Sequence, residues 1–276
     1  MYESKIHILN DGFLIIPRFK NESDPVFKKF PTLRLPEIRL GVFSYLIQTD
    51  GLNILIDNGK GNRLGNSYGK YIFGERVSIE KQLIDKGILP NQIDYVVNTH
   101  LHFDHCSGNT KIDNGHVVPV YSNAKYVIQK LEYEYALQIY KTDNSYIQEN
   151  FLPINKFGML MMIDGDFQLS ESVELLLCGG HTPGMMIVKH TDKNNIFYFV
   201  SDLIPTRHNV KLDNPENVDF DNDQTRKYKN ELLNRCAADK AVIVFQHSII
   251  AEACQIEKRE DKFHFKRFNF NERFLI

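Results

Sequence analysis

Short apolar runs recur along this chain, each closed by a polar or glycine-containing stretch, and that rhythm restricts the fold more than any other feature. The runs lie at residues 5–9, 42–47, 54–56, 95–97, 117–121 and 126–128, and again at 173–177, 186–188, 196–200 and 241–245. Their length and their β-branched and aromatic content favour strands. Helical spacing is scarcer. Ile79, Leu83 and Ile84 follow the capping candidate Ser78 and precede Gly87, where that helix should stop. A second helix is expected within 124–140, after a short strand. A third is expected over 225–238, where Tyr228, Leu232 and Cys236 share a face and Asp223 is the candidate cap. Strands outnumber helices, so the expected class is α/β, with two sheets packed together and helices outside them.

The chain has 276 residues, 42% hydrophobic and 25% charged, enough to bury most of a layered core. No repeat, low-complexity tract or long linker divides it, and one domain over residues 1–276 is expected. A net charge of -2 gives no general pull toward nucleic acid or anionic membrane, so neither is an expected partner. The N-terminal stretch lacks a basic segment followed by a long apolar run, and nowhere do about 18 apolar residues run together. Cys106, Cys178, Cys236 and Cys254 are widely spaced and form no CxxC pair, which points to reduced thiols and a cytoplasmic location. Residues 20–38, 59–74 and 202–224 are rich in Pro, Gly, Asn or charge and read as surface excursions, either lids or tolerated insertions.

The segment NTHLHFDHCSGN carries the chemistry. Immediately after the expected strand at 95–97, it supplies His100, His102, Asp104 and His105, four nitrogen or oxygen donors within six residues. Imidazole and carboxylate together suit zinc, iron, manganese or cobalt, and the absence of thiolate argues against a cysteine-rich structural zinc site. A tight loop can aim His100 and His102 at one cation while Asp104 and His105 face a second. By accident the pattern is expected on the order of once in a thousand such chains. Three more candidates each follow an expected strand: His181 in CGGHTPG, Asp202 after 196–200, and His247 after 241–245. Strand ends are rigid and place loop residues on a common rim. Alone, either histidine reads as a satisfied structural residue and Asp202 as a turn residue; with the 100–105 loop they read as one site.

These motifs, together with Asp57 in ILIDNGKG, the strand-terminal Ser201–Asp202 pair and Gln246–Ser248, resemble the metallo-β-lactamase superfamily of hydrolases over nearly the whole chain. The resemblance implies a four-layer αβ/βα sandwich, two mixed central sheets flanked by helices, with metals at the rim. It implies that His100, His102 and His181 hold one metal and Asp104, His105 and His247 the other. Asp202 would bridge both, and Asp57 would orient the metal loop through hydrogen bonds. Within the superfamily, the stretches SYLIQTDGLNILIDNGKGN, THLHFDHCSGNT and SDLIPTRH are most similar to N-acyl-homoserine-lactone lactonases and methyl parathion hydrolases.

The expected activity is therefore that of a dinuclear metal-dependent hydrolase, zinc being the default cofactor, opening a small-molecule lactone or ester. A hydroxide shared by the two cations would attack, with Asp104 and Asp202 as catalytic carboxylates and Asp202 returning a proton to the leaving alkoxide. Organophosphate triester or glyoxalase II-like thioester hydrolysis are the enzymatic alternatives, and a metal-binding regulatory module is the non-enzymatic one. Oligomeric state is not legible, a homodimer being one state the reading admits. Cys106 adjoins the metal loop, where packing is expected rather than nucleophilic attack. Phe43, Phe103, Met185 and Met186 are candidates for an apolar pocket or for plain core. His208 is a candidate substrate contact or a solvated loop residue.

Overall fold

Alternation along each strand decides which face meets which layer, and here both faces are apolar. The computed structural model describes residues 4–16, 38–62, 72–73, 77–193, 195–210, 219–260, 262–269 and 274–275. In chain order it shows β1 (Lys5–Ile16), β2 (Ile38–Thr49), β3 (Leu52–Ile56), β4 (Ile72–Phe73), α1 (Ile79–Asp85), β5 (Tyr95–Val97) and α2 (Phe103–Cys106). Next come β6 (Thr110–Asp113), β7 (His116–Pro119), β8 (Lys125–Gln129), α3 (Lys130–Ile139), α4 (Leu152–Lys156) and β9 (Leu160–Ile163). The second half adds β10 (Phe167–Gln168), β11 (Val173–Leu177), β12 (Met186–Thr191), β13 (Ile196–Phe199), α5 (Asn222–Asp239), β14 (Val242–Phe245), β15 (Glu252–Arg259), β16 (Lys262–Arg267) and β17 (Phe274–Leu275).

Apart from β6 and β7, which pair as a separate antiparallel hairpin, the strands form two mixed sheets. One has the order β17-β1-β2-β3-β5-β8-β9, with β4 also on β1; the other runs β10 to β16 in sequence order. Ile54, Ile56, Val97 and Val127 of the first sheet pack between the sheets against Val188, Phe197, Phe199 and Val244 of the second. The alternate residues point outward. Leu55, Val96 and Tyr126 meet Ile79 and Leu83 of α1 and Ile154 of α4. On the far side, Ile187, Tyr198 and Ile243 meet Leu232, Leu233 and Cys236 of α5. This is the four-layer sandwich expected, and burial on both faces is why its central strands read as continuous apolar runs.

Local signals explain the helices. The Ser78 side chain accepts from Lys81 N to cap α1, and Gly87 beyond its end has φ 79°. The expected cap Asp223 is displaced by Asp221, whose Oδ1 accepts from the backbone N–H groups of Asp223 and Gln224 and so starts α5 three residues early. A cap of this kind is worth about 1 kcal/mol. The excursion at 20–38 falls outside the described residues but for its last position, and so does most of that at 59–74. In the third, 202–224, the start lies in a 3₁₀ turn at 201–203, residues 207–210 form another, 211–218 fall outside the described residues and 222–224 open α5.

Candidate metal centre

Strand direction builds the site. β3 and β5 run parallel, β13 and β14 run parallel, and β11 points the same way as β13 across two antiparallel steps. The residues just past these five C-terminal ends are Asp57, the 100–105 loop, Asp202, His247 and the turn holding His181. The two sheets therefore deliver them to one rim. Asp57 and Ser201 both adopt a left-handed backbone, φ 51° and 45°, which few non-glycine residues tolerate without support from their surroundings. Support is present. The Asp57 carboxylate accepts from Thr99 N, Thr99 Oγ1, Gln246 Nε2 and His105 Nδ1 at 2.8–2.9 Å, and Ser201 Oγ lies 2.8 Å from Thr99 Oγ1.

All seven candidate ligands converge. Three groups have ligand atoms within 4.8 Å of one another: His100–His102–His181, His100–His105–Asp202 and Asp104–His105–His247. Asp202 stands between the outer two, with Oδ1 3.0 Å from His247 Nε2 and Oδ2 3.3 Å from His181 Nε2. Three imidazoles are anchored from behind. His105 Nδ1 donates to Asp57, His181 Nδ1 lies 2.9 Å from Asp219 Oδ1, and His247 Nδ1 donates to the Gly41 carbonyl at 2.7 Å. Such partners fix the tautomer and leave the other nitrogen facing the site. His100 Nε2 is buried without a hydrogen-bond partner among the described residues, the condition expected of an atom suited to hold a cation.

Burial and charge divide the ring nitrogens. Burial pushes His100 well below its ordinary range, and His105 and His102 push the same way. Burial, reinforced by His181, takes His102 down to about 3. Burial also opposes a proton on His105, His181 and His247, but there Asp202 and the other carboxylates prevail and the imidazoles shift up. For Asp202, burial favours the acid form, yet His247, His105 and His181 hold it well below the carboxylate range. Around Asp202 the carboxylates favour positive charge on their neighbours.

The other candidates fall differently. Phe43 and Met186 lie in the core between the sheets and Met185 in the layer under α5. Phe103 is half-buried in the metal loop. His208 is exposed. Cys106 is buried with its Sγ 3.3 Å from the Leu101 carbonyl, and burial pushes its thiol well up. All four cysteines are buried and free.

Several contributors left no sequence signal. Asp219 orients His181 from 38 positions away, and the following residues clip onto the same turn through Phe220 N to His181 O and Asp221 N to Gly180 O. Gly180 is required there: it has φ 88°, and a Cβ would meet Thr225 Oγ1 at 2.5 Å. Tyr146 packs edge-on against His102 at 4.9 Å, Tyr135 against Tyr146 at 5.9 Å, and Phe220 against Tyr135 at 5.4 Å. An aromatic run thus leads from the site to the surface.

Comparison with known proteins agrees with this architecture. The family described as the Metallo-beta-lactamase superfamily matches residues 38–247. An N-acyl homoserine lactonase of Bacillus thuringiensis is 26% identical over 232 residues, 79% of this chain and 86% of that protein. A probable metal-dependent hydrolase from Staphylococcus aureus superposes with TM-score 0.80 at 22% identity, over 97% of this chain and 99% of its own. AidC, a dizinc quorum-quenching lactonase, does so at 0.72 and 20%, over 98% and 96%. No helix among the described residues is long and apolar enough to cross a membrane. With its strand-end histidines and carboxylates gathered on one rim of a four-layer sandwich, the chain belongs to the metallo-beta-lactamase superfamily and is a metal-dependent hydrolase.

Proposed function

We propose that this protein is a dinuclear hydrolase that opens a lactone or ester, with N-acyl homoserine lactones as its substrate class. The observation that carries this reading is the placement of Asp202, whose two oxygens face different histidine groups. His100, His102 and His181 would hold one cation, Asp104, His105 and His247 the other, and Asp202 both. The donor chemistry fits, because neutral imidazoles and carboxylates suit zinc first, and manganese, cobalt or iron as well. When bound, such cations polarise an acyl carbonyl and make water nucleophilic near neutral pH.

The chain's own residues do the rest. His100 and His105 are fully buried, whereas the side chains of Asp104 and Asp202 keep 13% of their surface exposed, so an incoming substrate meets carboxylates. Asp202 is the group placed to carry the proton that a leaving alkoxide needs after ring opening. Beside it, the half-buried Tyr135 and exposed Phe220, backed by the buried Tyr146 that packs on His102, offer apolar area of the kind an acyl chain requires. The relatives named as N-acyl homoserine lactonases, at 26% identity, support the same class.

A panel of acyl-homoserine lactones, a paraoxon-like triester and S-lactoylglutathione, offered to metal-replete protein, tests the proposal. Lactone turnover exceeding the other two is the expected result. Preferred triester or thioester turnover would replace the substrate class. Fewer than two metals per chain with no turnover of any member would leave a metal-binding module instead.

A further inference from the structure

Glu132 sits in the first turn of α3 with its carboxylate completely buried, and its recorded partners are neutral donors. Oε1 accepts from Leu101 N at 2.9 Å and Tyr146 Oη–H at 3.1 Å, while Oε2 accepts from Thr182 Oγ1 at 2.7 Å and Gly184 N at 3.3 Å. Leu101 lies between His100 and His102, and Thr182 and Gly184 follow His181. Tyr146 carries the ring that packs on His102. One carboxylate therefore ties together the two loops that supply the His100–His102–His181 group. Among the described residues it makes no hydrogen bond to residues 103–106 themselves or to the loop that carries His247.

The closeness is built in. A Cβ at Gly184 would stand 2.2 Å from Glu132 N and 2.6 Å from its Cα, so only glycine lets α3 seat against the His181 turn. A buried carboxylate is expensive, and a tie needed for stability alone could be replaced by apolar packing. What apolar packing cannot supply is four directional bonds that fix two loops against each other to within tenths of an ångström.

From this we infer that Glu132 is a positioning residue, setting the separation of His100 and His102 from His181 and thereby the affinity of one of the two cations selectively. The inference rests on the metal reading of the site and not on the identity of the substrate. Metal-free protein titrated with zinc by calorimetry tests it, with circular dichroism on each variant. Wild type takes up two equivalents, and His181→Ala identifies the one belonging to this group. Glu132→Gln keeps the shape but aims an amide N–H at donors; it should weaken that equivalent by roughly 10–100-fold, as loss of an orienting partner does, and spare the other. Tyr146→Phe and Thr182→Val each remove one donor and should weaken the same equivalent by less. If Glu132→Gln does not fold, these two decide the matter. Unchanged affinities, or equal weakening of both equivalents, overturn the inference. Uptake of fewer than two equivalents by wild type sinks the metal reading and the inference with it, and the wild-type titration alone reveals that case.

Discussion

His105 and His247 aim ring nitrogens at each other across 3.2 Å, and neither can turn away. Each has its Nδ1–H committed to a group that only accepts, the Asp57 carboxylate for His105 and the Gly41 carbonyl for His247. In the neutral form both Nε2 atoms then present lone pairs across that gap, an arrangement that needs a positive charge between them. On the proposed dinuclear reading, His247→Ala should therefore reduce metal content from two to one per chain and lower kcat/KM by about 100-fold or more, as loss of a ligand to one of two cooperating cations would. Elemental analysis beside lactone kinetics checks this, and two metals retained in the variant would contradict it.

Asp202 faces both groups, so its replacement should act on both. Asp202→Ala is expected to weaken both metal equivalents and to reduce turnover by about 10³-fold, the scale on which losing a key charged group acts. A variant with full metal content and less than tenfold loss of turnover would show that the carboxylate spans nothing.

Legibility in the sequence followed burial. The central strands could be read because both faces are apolar; β15 and β16 could not, since β16 is mostly exposed and charged and its pattern resembles a loop. The candidate ligands were legible because chemistry restricts such residues to types like His and Asp gathered past strand ends. Their supports were not. Asp219, Glu132 and Tyr146 act through hydrogen bonds to partners 14 to 52 positions away, and each is an ordinary residue type in its own segment. Phe43, Met185 and Met186 fall on the core side of the two readings the sequence left open, since proximity in sequence to a site loop is also what core residues of the same strands have.

Phe220 is 59% exposed at the outer end of the aromatic run, touching Tyr135. If an acyl chain lies along this run, Phe220→Ala should raise KM for a long-chain substrate by about tenfold, equivalent to roughly 1–2 kcal/mol of lost apolar and aromatic contact. A short-chain substrate, which does not reach this far, should keep its KM, and kcat should hold for both. Equal effects on short and long chains would place the acyl chain elsewhere.

Far from the rim, His190 is buried in β12, with Nδ1 donating to the Ser172 carbonyl at 3.2 Å and Nε2 2.9 Å from Ser4 Oγ. Burial lowers its pKa in the folded chain. Below the ordinary histidine range the unfolded chain binds a proton that the folded one refuses, so stability is fully present above about pH 6.5 and declines as pH falls toward the folded value. His190→Gln can keep one donor and one acceptor without titrating. The stability difference between wild type and variant should shift in favour of the variant as pH drops from 7 to 5, at up to about 1.4 kcal/mol per pH unit. Taking the difference cancels titration at the rim, and chemical denaturation at several pH values measures it. A pH-independent difference would refute the assignment.

Cys106 places a thiol beside the metal loop, and its surroundings decide its role. It packs with Leu101, Ile128, Tyr133, Ala136 and Phe151, and its Sγ meets the Leu101 carbonyl beneath the loop, with no path to solvent. An acyl group cannot reach sulfur there without dismantling that cluster. Cys106→Ala should consequently bind two metals and turn over substrate within a few-fold of wild type, while losing about 1–2 kcal/mol of stability from the small cavity left behind. Denaturant melts and kinetics on the same preparation separate the two effects. Abolished turnover in a folded variant that still carries both cations would mean that sulfur takes part in the reaction, and a covalent acyl intermediate would then replace direct attack by water.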